Sequence, residues 1–144
     1  MQSSTYVLAV DLGTSGPKVA LVSNEGAVIG KATESVELLL DGTGGAEQDP
    51  RAWWSAIVTA TRRTLAATSG TDVAAISVTS QWSGTVAVDV AGEPIGNAII
   101  WMDSRGAAYL DELRGSGPVR FEGFGPLRVR RWVSVTGGGP SGSG

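Results

Sequence analysis

Within eight consecutive residues, Asp11-Leu12-Gly13-Thr14-Ser15-Gly16-Pro17-Lys18, the chain brings together an acid, two hydroxyls, two glycines and a lysine. Each of these types suits work on a phosphate. Amides of a glycine-containing turn can point at an anion, the Thr14 and Ser15 hydroxyls can donate to its oxygens, Lys18 can neutralise charge, and Asp11 can hold hydrated Mg²⁺. The spacing is not that of a Walker A loop, which needs four residues between its first glycine and the Gly-Lys pair and a helix afterwards. An ordinary hairpin turn with Lys18 on the solvent face accounts for the same residues, so both readings stand at this point.

Two further clusters fall at the ends of apolar segments. Gln81, Trp82 and Ser83, followed by Gly84, close a β-branched run. An indole beside an amide and a hydroxyl suits a polyol, which offers an apolar face as well as hydroxyls. Trp82 packed in the core, with Gln81 capping a turn, is the competing reading. Asp103 and Arg105 end the second segment, where the acid can accept from substrate hydroxyls and the guanidinium can fix it or reach an anion. A helix cap with a surface arginine serves the same spacing.

The elements that must position these groups follow from pattern. Tyr6 to Val10 and Lys18 to Ser23 read as two strands around a tight polar turn. Asn24-Glu25-Gly26 turns the chain into a third antiparallel strand from Ala27 towards Leu39, so a three-strand meander opens it. Asp49 stands at an N-cap and Pro50 at the first helical position of a helix to about Ala67. Trp53, Trp54, Ile57, Val58, Thr61 and Leu65 form its expected apolar stripe. Val73 to Thr79 then reads as a strand brought parallel to an earlier one by a crossover, with its end at the place where open α/β sheets bind ligands. Thr85 to Val90 and Ile95 to Met102 read as further strands, and Ala107 to Arg114 as a short helix.

Composition narrows the chemistry. Among 144 residues there is no cysteine and no histidine, which excludes disulfide scaffolds, Cys or His metal sites and Ser-His-Asp triads. Eleven basic against fourteen acidic residues argue against a generally basic nucleic-acid or membrane-surface binder. The basic residues Arg120, Arg128, Arg130 and Arg131 are interleaved with Phe121, Phe124, Leu127 and Val129, a mixture that suits half-buried structure. No apolar run approaches the roughly 20 residues of a membrane span, and no signal-peptide pattern opens the chain, so a cytoplasmic protein is expected. Character changes near Gly115: residues 1–114 read as one domain, and 115–144, with nine of the 21 glycines, as a tail or as a domain cut short.

Taken together, Asp11-Leu12-Gly13-Thr14-Ser15, Glu47-Gln48-Asp49-Pro50 with Trp53-Trp54, Gln81-Trp82-Ser83-Gly84 and Trp101-Met102-Asp103-Ser104-Arg105 form an ordered set. The set resembles the amino-terminal part of the FGGY family of carbohydrate kinases, xylulokinases in particular, over nearly the whole chain through Ala108. The resemblance implies an incomplete α/β domain of the ribonuclease H-like, actin-like ATPase superfold, with a mixed sheet. It implies transfer of the γ-phosphate of MgATP to a sugar hydroxyl by a protein of which this chain is an inactive fragment. On it, Asp11 would hold Mg²⁺, and Gly13, Thr14, Ser15 and Lys18 would lie near the transferring phosphate. Gln81, Trp82, Ser83, Gly84 and Asp103 would face a sugar or polyol, with Arg105 supporting Asp103. No residue is assigned as catalytic base, because the family's aspartate for that task lies beyond residue 144. A homodimer of the full-length protein remains open. Xylulokinases usually carry Gln-Met-His-Gly where this chain has Gln81-Trp82-Ser83-Gly84, and the bulkier indole and the lost imidazole argue against xylulose itself as the acceptor. The alternative to an enzyme is a non-catalytic phosphate- or sugar-binding module of the same fold.

Overall fold

The protein is described from a computed structural model covering residues 5–68 and 72–109. The chain divides into two units, Met1–Arg105 and Gly106–Gly144. Only residues 106–109 of the second are described, as part of a short 3-10 helix, Arg105–Tyr109. The remainder of the expected 107–114 helix and the whole 115–144 segment lie outside the described residues.

The opening meander forms because its two turns tolerate the bends and its strands alternate. β1 (Thr5–Gly13) pairs antiparallel with β2 (Gly16–Ser23), and Gly13 faces Gly16 across a two-residue tip of Thr14 and Ser15. β2 pairs antiparallel with β3 (Val28–Thr33). The third strand ends at Thr33, short of the expected Leu39. The chain turns there to brace the hairpin tip, with the Glu34 amide donating to the Pro17 carbonyl at 3.2 Å and the Val36 amide to that of Ser15 at 3.2 Å.

A second, small antiparallel sheet joins β4 (Leu39–Leu40), β5 (Ala46–Gln48) and the later β7 (Ala98–Ile99). The loop between β4 and β5 is closed by Asp41, whose Oδ1 accepts from the amides of Thr43 and Gly45.

Helix α1 (Pro50–Ala66) starts where its cap residues dictate: Asp49 Oδ1 accepts from the Arg51 amide at 2.8 Å and Pro50 holds the first position. The buried stripe differs from the expected one. Ala56, Ala60 and Thr64 are buried and Ile57 packs beside them, whereas Trp54 is 69% exposed and Leu65 lies outside the packed seam. Small residues four apart let the helix lie low on the sheet. A Cβ at Gly30 in β3 would stand 3.3 Å from the Thr64 carbonyl oxygen, which shows how closely the two backbones pass. The core between helix and sheet is Leu8, Val10, Val19, Leu21, Ala32 and Ala60.

β6 (Asp72–Ser80) returns parallel to β1, as the crossover predicts, giving a mixed sheet of order β3-β2-β1-β6. At that edge Ile76 and Val78 are two-thirds exposed. The strands expected at 85–90 and 95–102 shrink to the bridges Thr85 to Ile99 and Val88 to Pro94 and to the two residues of β7. Val88, Val90 and Ile95 are exposed, so among the described residues no packed layer rewards a longer ladder there. Among the described residues no helix is long and apolar enough to cross a membrane.

Candidate functional site

Register brings the chemistry-bearing groups to one end of the main sheet. Asp11 on β1 lies opposite Lys18 on β2, and Leu12 pairs with Ser80, so Gln81 emerges beside the hairpin tip with its amide bonded to the Leu12 carbonyl at 2.7 Å. This is the carboxyl end of two parallel strands, where a ligand can approach backbone and side chains together.

Lys18 Nζ stands 3.5 Å from Asp11 Oδ2, and both side chains are more than half exposed. A pair so wetted adds little stability, so both groups remain open to a ligand. They border a cleft of about 710 Å³ whose lining includes Lys31, Ser77 and Thr79, with Ala9 and Ala20 adding little bulk. The tip itself is rigidly backed. Gly16 has φ of +126°, and a Cβ placed there would lie 2.1 Å from the Glu34 carbonyl oxygen, so no other residue type fits.

Thr14 links this hairpin to the second cluster. Its Oγ1 donates to Gln81 Oε1 at 3.0 Å and accepts from Trp101 Nε1 at 2.9 Å. The sequence suggests a phosphate as the partner of this hydroxyl; in the structure its hydrogen goes to Gln81 instead. At the tip Ser15 is exposed, and Lys18 Nζ lies 3.0 Å from where a Cβ on Gly13 would stand. Gln81 Nε2 donates in turn to Gln48 Oε1 at 2.9 Å. Trp82 stacks on Trp101 with ring centroids 6.4 Å apart and planes 27° from parallel. Trp82 is 67% exposed, so it is not a core residue of the described unit. Ser83, at φ of +52°, and Gly84 are exposed beyond it.

Asp103 and Arg105 bond to a second set of partners. Asp103 Oδ2 accepts from the Ala46 amide at 2.9 Å and from Arg105 Nε at 2.9 Å and Nη2 at 2.6 Å, while Oδ1 accepts from the Arg105 amide. Arg105 Nη2 also reaches Glu47 Oε1 at 2.6 Å, and Asn97 donates to Glu47 Oε2. The Asp103 side chain is only 6% exposed, and its oxygens are engaged by its own chain. The Arg105 guanidinium first, and the Ala46 amide second, hold the Asp103 carboxyl down at about 2. Arg105, bound first by Asp103 and then by Glu47, is raised above its ordinary value. The cluster ties the start of β5 to the chain after β7.

A depressed carboxyl contributes stability that is complete above its unfolded value of 3.8 and is lost as the pH falls towards about 2. Wild type is therefore expected to melt above Asp103→Asn at pH 6, with the gap closing between about pH 4 and pH 2. Thermal melts of both proteins across that range check it; a gap independent of pH would mean that the charge of Asp103 is immaterial.

Three contributors were not singled out by sequence reasoning: Gln48, Trp101 and Glu47. Each reads locally as part of a cap or strand end, and only the pairing of β5 with β7 turns them towards the other groups. Their sole signal in the chain is that they belong to the ordered set of motifs.

Comparison with known proteins bears on this arrangement. Residues 6–121 match the family described as FGGY family of carbohydrate kinases, N-terminal domain. The chain is 38% identical over 117 residues to a glycerol kinase of Janthinobacterium sp. (strain Marseille), a match covering 79% of this chain and 24% of that protein. Among solved structures, a xyloylose kinase from Brucella ovis superposes with a TM-score of 0.72 at 29% identity, over 75% of this chain and 23% of that one. A gluconate kinase from Lactobacillus acidophilus shares the fold with a TM-score of 0.73 at 24% identity, over 80% and 23% respectively. The chain thus spans about a quarter of the length of the curated relatives it matches.

Proposed function

The chain belongs to the FGGY family of carbohydrate kinases, and from that premise we propose that it supplies the amino-terminal part of an enzyme moving the γ-phosphate of MgATP to a hydroxyl of a sugar or polyol. One observation carries the reading: Thr14, at the tip of the hairpin bearing Asp11 and Lys18, is hydrogen-bonded to both Gln81 and Trp101. An anion-binding turn and an alcohol-binding surface therefore meet at a shared residue, which is what an in-line transfer between them requires.

The donor set fits the implied cation. Asp11 offers one exposed, hard carboxylate, and no group of three acids occurs among the described residues. Mg²⁺ is characteristically held by one or two carboxylates, with phosphate oxygens and water completing its shell. Asp11 would hold it, and the ion when bound would neutralise charge on the phosphates. Lys18 adds a second positive charge there, and Gly13, Thr14 and Ser15 form the turn that faces the transferring group.

On the acceptor side, Gln81 offers hydrogen bonds and the Trp82 and Trp101 rings an apolar face for the carbon chain of a polyol. Ser83 and Gly84 border that surface. Asp103 and Arg105 serve it by holding the start of β5 and the residues after Trp101 together. The hydroxyl proton would be taken by a base from the part of the kinase that this chain does not span. Among the described residues Ile76 and Val78 on β6 stay exposed, and apolar edges of that kind are usually covered by further chain or a partner.

The relatives' names direct the acceptor search to glycerol and pentuloses. A full-length protein carrying this chain is expected to add one phosphoryl group to at least one of them when incubated with MgATP. Weighing the products by mass spectrometry tests this; a protein that binds an alcohol without any gain in product mass would be a binding module.

A further inference from the structure

Gln48 is fully buried, and all four hydrogen-bonding positions of its amide are filled. Its Nε2 donates to the carbonyls of Thr14 at 2.8 Å and Glu37 at 3.3 Å. Its Oε1 accepts from Trp53 Nε1 at 3.2 Å and Gln81 Nε2 at 2.9 Å. Turning the amide over would set an oxygen against two carbonyls and an NH₂ against two donors, so only one orientation satisfies the site.

That choice propagates outward. Because Gln48 Oε1 takes an N–H of Gln81, the Gln81 carbonyl is directed to Thr14, whose hydroxyl hydrogen it receives. The Thr14 oxygen then has only lone pairs to offer, and Trp101 Nε1 donates to it. Two main-chain carbonyls thereby set, through Gln48, Gln81 and Thr14, the direction of an indole that stacks on Trp82. Among the described residues the second N–H of the Gln81 amide meets no acceptor, which leaves it for an incoming oxygen.

We propose, building on the sugar-kinase reading, that Gln48 is a positioning residue for the acceptor alcohol. It touches neither phosphate nor sugar; it fixes the polarity of the Gln81 amide, so that an N–H is presented to a hydroxyl oxygen, and it holds the Trp101 ring in place. Residues at the surface of the site then select the acceptor only while the buried amide keeps them aligned.

The spectra of the 144-residue chain test this without any kinase assay. In wild type, the indole N–H groups of Trp53 and Trp101 should exchange with solvent at least about tenfold more slowly than that of the exposed Trp82. In Gln48→Leu, the Trp101 signal should move and its exchange quicken, although its bond is to Thr14 and not to residue 48. The proposal is overturned if wild-type Trp101 exchanges as fast as Trp82, a result that needs no variant to fold, or if Gln48→Leu shifts Trp53 alone. In a full-length enzyme, Gln48→Leu should raise the acceptor KM by about tenfold and leave the KM for ATP within about twofold, the loss of an aligned hydrogen bond. An unchanged acceptor KM, or equal rises in both, also overturns it. A wild-type protein that transfers no phosphate would sink the kinase reading, while the indole spectra would still decide the role of Gln48.

Discussion

Gly16→Ala is expected to cost the fold at least about 2 kcal/mol, a large share of the margin of a small domain. Two effects combine at this position. The backbone sits at φ of +126°, which side chains other than hydrogen rarely tolerate, and the added Cβ would come 2.1 Å from the Glu34 carbonyl oxygen. Neither partner can step aside cheaply. Glu34 is tied to the hairpin by its own amide bonded to the Pro17 carbonyl, and by its carboxylate paired with Arg63 on α1. Gly26→Ala separates the two effects, because its φ is +86° but nothing lies within 4 Å of the added carbon. Urea unfolding of the three proteins should place Gly26→Ala about 1 kcal/mol below wild type and Gly16→Ala well below that. Equal losses would mean that the close pass of Glu34 over the tip contributes nothing.

Asp11→Ala should behave in the opposite way, with a large loss of activity and almost none of stability. Its carboxylate is more than half exposed and its ion pair to Lys18, at 3.5 Å, is of a kind worth about 0–1 kcal/mol. Its proposed work is electrostatic, at the place where charge shifts during transfer. Removing such a preorganised group typically lowers the rate by about a hundredfold or more. In a full-length protein, steady-state rates at saturating acceptor should fall by that factor, while the urea midpoint stays close to wild type. A fall in stability comparable to that of Gly16→Ala would make Asp11 a structural turn residue, and unaltered kinetics would remove it from the site.

Much of the fold was legible because the deciding interactions are local. Gly13 and Gly16 flank a two-residue tip, Asp49 and Pro50 announce the helix, and the β-branched run after it forms the parallel strand. These follow from turn chemistry, capping and crossover handedness, all of which act over a few residues or one connection. The apolar stripe of α1 misled because hydrophobicity alone favours the indole of Trp54. The helix instead buries the small residues Ala56, Ala60 and Thr64, with the Thr64 backbone passing close to Gly30. The strand after Thr33 stopped early for a tertiary reason, the bracing of the hairpin tip.

The site divides in the same manner. Asp11 facing Lys18, and Gln81 beside the tip, follow from strand register and were within reach of the sequence. The destinations of the Thr14 hydroxyl and the Asp103 carboxylate were not. Each has a partner far along the chain, Gln81 and Trp101 for the one and Ala46 for the other, and short polar side chains carry no pattern that names a distant partner. Gln48 is the extreme case, a residue that looks like the approach to a helix cap and is fully buried at the junction of both sheets' polar groups.

The central claim is that the hairpin and the Gln81 surface serve one transfer reaction. It is tested most directly by ADP release from MgATP in a full-length protein carrying this chain, measured with and without glycerol and a pentulose. The account predicts release that depends on one of these alcohols and is nearly abolished by Asp11→Ala. Release independent of every alcohol, or an alcohol-dependent rate that Asp11→Ala leaves intact, would contradict it.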